Sequence, residues 1–90
     1  MLTTMNLKQL SPEQIQSQVY DLLVDRLGVR RSELAPQRGL VKDLGADSLD
    51  SVELIMALEQ KFHIRITNEQ AERIKTVGDI LNYINSYTDK

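Results

Sequence analysis

A chain of 90 residues with 13 acidic and 11 basic side chains, one histidine and no cysteine leaves few chemistries open. Its size suits one small domain, which buries roughly 60–65% of the surface the unfolded chain exposes, so one shared core is expected. Without cysteine there is no disulfide framework and no thiolate metal site, and any thiol must come from an imported group.

No basic segment followed by an apolar stretch opens the chain, and the longest unbroken apolar run, Leu54 to Leu58, is five residues where a membrane span needs about 20. A soluble, cytoplasmic protein is expected. Residues 1–10 read as a flexible lead, 11–87 as the folded domain and 88–90 as a flexible end. The first helix opens at Ser11-Pro12-Glu13-Gln14. Ser11 caps, Pro12 suits a first position whose N–H lacks a partner anyway, and Gln14 completes a capping box. Ile15, Val19, Leu22, Leu23 and Leu27 recur at helical spacing, and Gly28 is placed to end the helix in a left-handed turn. Residues 29–46 make a connection longer than the roughly 12–15 residues usual for an unstructured link, so it is expected to be pinned or functional. Leu34, Leu40, Val41 and Leu44 are spaced to plug it onto the core, with Pro36 and Gly39 bracketing a turn.

The second helix is predicted to begin near Ser48, with Asp47 as its N-cap. With Ser48 at zero and about 100° per residue, Leu54, Leu58, Phe62 and Ile55 fall between roughly 240° and 340°, while Leu49, Val52 and Met56 fall between roughly 40° and 100°. One helix thus carries two apolar stripes. The second is either extra core beneath the long loop or an exposed contact surface beside Ser48, and the adaptable thioether of Met56 favours contact. The alternation His63-Ile64-Arg65-Ile66 reads as an extended connector with both isoleucines inward, since four residues have no partner strand. Thr67-Asn68-Glu69-Gln70 is another capping box opening a short helical turn through Ile74. Thr76-Val77-Gly78-Asp79 caps a last helix whose Val77, Ile80, Leu81 and Ile84 face the core, with Gly78 weakening its start slightly. The expected fold is all-α, a small four-helix bundle of three longer helices and one short one, with a long loop between the first two.

Charge is unevenly spread. Arg26 to Lys42 holds five bases and one acid, Glu33, whereas Asp43 to Glu59 holds five acids and no base. The surface near Ser48 is therefore expected to be negative and to suit basic partners rather than nucleic acid, although a solvated helix face gives the same pattern. Self-contained nucleophilic catalysis by Ser48 needs a base within hydrogen-bond reach. His63, the one histidine, lies fifteen residues on, about 22 Å along one helix. It reads as a surface or boundary residue. No G-x-S-x-G elbow is present. A calcium loop starting at Asp43 needs glycine and glutamate where Ser48 and Leu54 stand, and neither Gly39 nor Gly45 leads into a phosphate-binding lysine. No metal is expected, and on these grounds alone Ser48 is simply a helix-cap residue.

The run Asp43-Leu44-Gly45-Ala46-Asp47-Ser48-Leu49-Asp50, followed by Val52-Glu53-Leu54, closely resembles the modification site of acyl carrier proteins, most closely those of type II fatty acid synthesis. The similarity runs from about Ser11 to Tyr87. It implies that Ser48 is an acceptor rather than a catalyst, to which a phosphopantetheinyl transferase attaches 4'-phosphopantetheine from coenzyme A. The arm then supplies the thiol that this cysteine-free chain lacks. The resemblance also implies apolar docking of partner enzymes on Leu49, Val52 and Met56. Asp47, Asp50, Glu53 and Glu59 would steer the basic patches of acyltransferases, ketosynthases and other acyl-processing enzymes. The protein is expected to act as a monomer. An acyl chain folding back into the bundle would meet Leu58, Phe62, Ile66, Ile74 and Leu81, residues that a plain packed core requires as well.

Several positions depart from the family pattern. Lys42, Gln60, Lys61, Arg30, Arg31, Arg38 and Arg65 make this chain less acidic than its fatty acid members usually are, Leu40 stands where an aromatic residue is frequent, and Asn68 where proline often sits. None touches the attachment motif; together they leave the partner set open, from fatty acid synthesis to a dedicated lipid or polyketide pathway. A carrier of aminoacyl groups and an unmodified interaction subunit of the same fold are the alternatives.

Overall fold

All four helices start where a short polar side chain closes on the backbone three residues ahead, the last through Thr76, whose hydroxyl accepts the Asp79 N–H while the Asp79 carboxylate accepts the Thr76 N–H. The computed structural model describes residues 10–88, with Thr88 through its backbone; the expectations for residues 1–9 and 89–90 lie outside them. Helix α1 spans Pro12–Leu27, α2 Ser48–Phe62, α3 Asn68–Arg73 and α4 Val77–Thr88, with one 3-10 turn at Arg31–Glu33 in the long loop. Ser11, Asp47 and Thr67 each accept an N–H three residues on and each is answered by a side chain from that position, a reciprocal cap that satisfies otherwise unpartnered groups at the helix start. Gly28 ends α1 at φ 68°, its N–H bonded to the Val24 carbonyl.

Helix α1 packs on both α2 and α4. Ile15, Val19 and Leu23 of α1, Leu54 and Leu58 of α2, and Val77, Ile80 and Ile84 of α4 are essentially removed from solvent. Each such side chain contributes roughly 1.5–3 kcal/mol by leaving water. Leu22 and Leu27 are only half-buried. Tyr20 is buried instead, beneath the Arg31 guanidinium 5.6 Å from its ring centre. Arg31 also pairs with Asp21 and donates to Ser17, fastening the start of the loop to α1.

The loop is pinned at its far end too. Leu34, Leu40 and Leu44 are buried as expected, but Val41 is exposed. Leu40 and Leu44 sit across one tight turn, with Asp43 and Leu44 both donating to the Gly39 carbonyl. They share an inward side, and Val41 stands about 100° round from Leu40. Past this turn the Leu40 N–H bonds to the Lys75 carbonyl, while Val77 and Gly78, the first two residues of α4, donate to the carbonyls of Arg38 and Pro36 at 3.0 and 2.7 Å. The loop thereby supplies acceptors that the start of α4 lacks internally. A Cβ on Gly78 would lie 2.9 Å from the Pro36 oxygen, so glycine there permits close approach of the loop.

The connector after α2 follows expectation, with Ile64 and Ile66 buried. His63 is exposed and adopts the left-handed conformation (φ 54°), ending α2.

Candidate functional site at the start of helix 2

Ser48 is the first residue inside α2, exposed, at the end of a turn in which Gly45 has φ 76°. Capping falls to its neighbours. The Asp47 carboxylate accepts the Asp50 N–H at 2.8 Å, and the Asp50 carboxylate accepts the Asp47 N–H at 3.1 Å. The reading of Ser48 as a helix cap therefore fails, because Asp47 is the better-placed acceptor and leaves the serine hydroxyl without a structural bond among the described residues. Asp43 is likewise occupied, accepting the Gly39 N–H at 2.7 Å. His63 caps the opposite end of the same helix, so no histidine stands beside Ser48, and the flanking Asp47 and Asp50 carboxylates are engaged in the cap. Among the described residues, no group of three or more histidine, aspartate or glutamate side chains is gathered as a metal ion requires.

The second stripe of α2 is surface. Leu49, Val52 and Met56 are 63%, 55% and 53% exposed, and Val41 joins them at 66%. Asp47 and Glu53 are exposed and Asp50 is half-buried. Glu59 differs from the other acids: it is half-buried, and its carboxylate accepts the Ile66 N–H at 2.8 Å. That bond ties the end of α2 to the connector and gives Glu59 a structural task that helix periodicity does not reveal.

Beside Ser51, one turn into α2, a cleft of about 440 Å³ opens between α2, the loop and α3, lined by Leu40, Leu54, Ile55, Ala71 and Ile74 among others. Of the five side chains suggested as an acyl lining, Ile74 faces this cleft and Ile66 faces the next grooves along α2. Leu58, Phe62 and Leu81 are buried in the core and line none of the three. Sequence reading placed Ile55 on the inward stripe and gave no sign of Ala71. The usable signal was the position of Ile55 at about 340°, on the border between the two stripes.

Among the described residues, two titrating groups are displaced from their ordinary values. Backbone donation by Lys75, joined by smaller contributions from Thr76, outweighs the opposing effect of burial and holds the Asp79 carboxyl below 3.8. Burial raises the Tyr83 hydroxyl, which lies 2.6 Å from the Arg65 carbonyl oxygen and 2.9 Å from Gln70 Oε1. Both lie on α4, away from Ser48, and fasten the connector and α3.

An exposed, unbonded hydroxyl at a capped helix start, with apolar and acidic side chains around it and no histidine to activate it, suits a residue acted upon. The family described as "Phosphopantetheine attachment site" matches residues 17–84. An acyl carrier protein of Clostridium acetobutylicum is 47% identical over 72 residues, covering 80% of this chain and 94% of the relative. A solved structure of a Mycobacterium tuberculosis protein assigned as an acyl carrier protein superposes with a TM-score of 0.76 at 33% identity, covering 81% of this chain and 97% of that one. The chain belongs to the phosphopantetheine attachment family and, within it, to the acyl carrier proteins. Its cofactor is 4'-phosphopantetheine, and proteins of this class are carriers, not catalysts, that work with acyl-processing enzymes. No described helix is long and apolar enough to cross a membrane.

Proposed function

We propose that Ser48 is the residue that accepts the arm, in the active site of a phosphopantetheinyl transferase. The single observation that carries this is the exposed hydroxyl at the start of α2, which the Asp47–Asp50 cap leaves unused. In the transfer the serine O–H bond breaks and its proton passes to a base of the transferase, since the histidine of this chain is remote and the flanking Asp47 and Asp50 carboxylates are held in the cap. Oγ bonds to the phosphorus next to the pantetheine unit, and the P–O bond to the nucleotide half of coenzyme A breaks. The resulting phosphodiester would lie at the positive end of α2, where free first-turn N–H groups favour an anion. When bound, the arm supplies a thiol that holds acyl groups as thioesters.

Leu49, Val52 and Met56 form the apolar centre of the partner surface, and Asp47, Asp50 and Glu53 steer basic patches toward it. Glu59 adds charge at the rim while holding the connector. The cleft lined by Leu54, Ile55, Ala71 and Ile74 is the acyl shelter, with Ile66 at its extension and Leu58, Phe62 and Leu81 behind it as packing. The carrier domain spans residues 11–87 and acts as a cytoplasmic monomer in fatty acid or related lipid or polyketide synthesis.

Incubation with a phosphopantetheinyl transferase and coenzyme A, followed by intact mass, tests the assignment. One added arm is expected on the native chain and none on Ser48→Ala. An unchanged mass for the native chain would point to an unmodified interaction subunit, and loading that survived in S48A would move the site elsewhere.

A further inference from the structure

The cleft beside Ser51 is one end of a longer feature. It shares Ser51, Ile55, Ala71 and Glu72 with a second groove of about 470 Å³, which shares Met56, Glu59, Ile66 and Asn68 with a third of about 620 Å³. Shared walls make the three one trough between α2 and α3. From Ser51 to Gln60 it follows α2 for about 13 Å, roughly two and a half helical turns. The exposed Val52 and Met56 stand along its edge.

Charge along the trough changes sign twice. Its middle carries Glu59 and Glu72, but Lys42 and Lys75 line one end and Arg65 the other. All three basic side chains belong to exposed residues, and none forms an ion pair within the described part of the protein. Neither end is therefore neutralised internally, and a uniformly basic partner would set like charges against both.

We infer that the rim of the trough, over the cleft assigned to the acyl chain, seats an amphipathic helix of a partner enzyme that is basic in its middle and acidic at both ends, with Lys42 and Arg65 as the residues that select it. Apolar side chains of that helix rest on Val52 and Met56, its central bases face the acids of α2 and α3, and its terminal acids meet the basic ends. The inference rests on the carrier reading, deepening it by naming what distinguishes this chain's partners. Exposed charges act here through differences between partners rather than through raw affinity.

The test uses two stapled helical peptides of equal length with identical apolar positions, one basic throughout and one basic in the middle with acidic ends. Each is titrated against the full unmodified chain by fluorescence anisotropy at low ionic strength and again in ~0.5 M salt. The mixed-charge peptide is expected to bind about three- to tenfold tighter at low salt, a preference of the size that a few exposed charge pairs provide, and to lose most of that preference in high salt. The double variant Lys42→Glu with Arg65→Glu, confirmed folded by its melting curve, is expected to prefer the uniformly basic peptide. Equal affinities, a preference of the native chain for the uniformly basic peptide, no binding of either, or a preference unchanged in the double variant would overturn the inference. Because no arm is needed, each of those results leaves the Ser48 mass assay to stand or fall separately.

Discussion

The start of α2 and the junction between the long loop, α3 and α4 are built from similar residues and treated oppositely. At the junction the polar groups are used up: Asp79 accepts from Lys75 and Thr76, Tyr83 reaches Arg65 and Gln70, and loop carbonyls take the first N–H groups of α4. At the start of α2, Asp47 and Asp50 satisfy each other while Ser48, Glu53 and three large apolar side chains are left to solvent. The junction spends its chemistry on holding shape. The α2 surface leaves its side chains exposed.

If that division is right, changes in the fixed part should appear in stability and changes in the free part in transfer. The largest expected effect is Leu58→Ala, which empties a fully buried site and should cost about 2–5 kcal/mol in urea unfolding; a loss under about 0.5 kcal/mol would mean that α2 does not share the core. Gly78→Ala comes next. Its methyl group would press on the Pro36 oxygen, and displacing the loop should cost about 1–3 kcal/mol, seen as a lower melting midpoint.

Asp79→Ala should cost about 1–2 kcal/mol at neutral pH by leaving the Lys75 and Thr76 N–H groups without their acceptor. Because the folded carboxyl titrates below 3.8, its contribution is present above that value and lost as pH falls through the folded pKa. The gap between native and D79A stability should therefore narrow on going from pH 7 to about pH 3. A gap that stayed constant would remove the charge from the explanation. The smallest effect belongs to the free surface: Glu53→Lys should leave stability within about 0.5 kcal/mol yet slow loading by the transferase, more at low salt than at high. Equal slowing at both salt concentrations would indicate lost packing instead.

Much of this was legible along the chain because it is local. The capping pairs Ser11–Gln14, Asp47–Asp50, Thr67–Gln70 and Thr76–Asp79 are three residues apart, and the four helices follow from them together with the apolar spacing. What escaped was set by groups far apart in sequence or by the sense of a turn. Val41 was expected inward because its neighbours are apolar, yet a tight turn on the Gly39 carbonyl faces it outward. Glu59 looked like one more docking acid, but its partner N–H lies seven residues on, beyond the helix end. Tyr20 is covered in part by Arg31, which folds back over it from eleven residues on. The run around Ser48 that resembles an attachment motif is continuous in sequence, whereas the cleft beside it draws on the loop, α2, α3 and the link to α4, and no single stretch carries its outline.

The mutual closure of Asp47 and Asp50 has a further effect on how the protein is used. Since the helix is sealed without help from Ser48, one of the two residues between them, a long tether hung on its hydroxyl takes away no bond on which the fold relies. Successive enzymes would then meet the same rigid handle whatever freight hangs from it, and discrimination among them can be left to the freight and to the charges at either end of the trough.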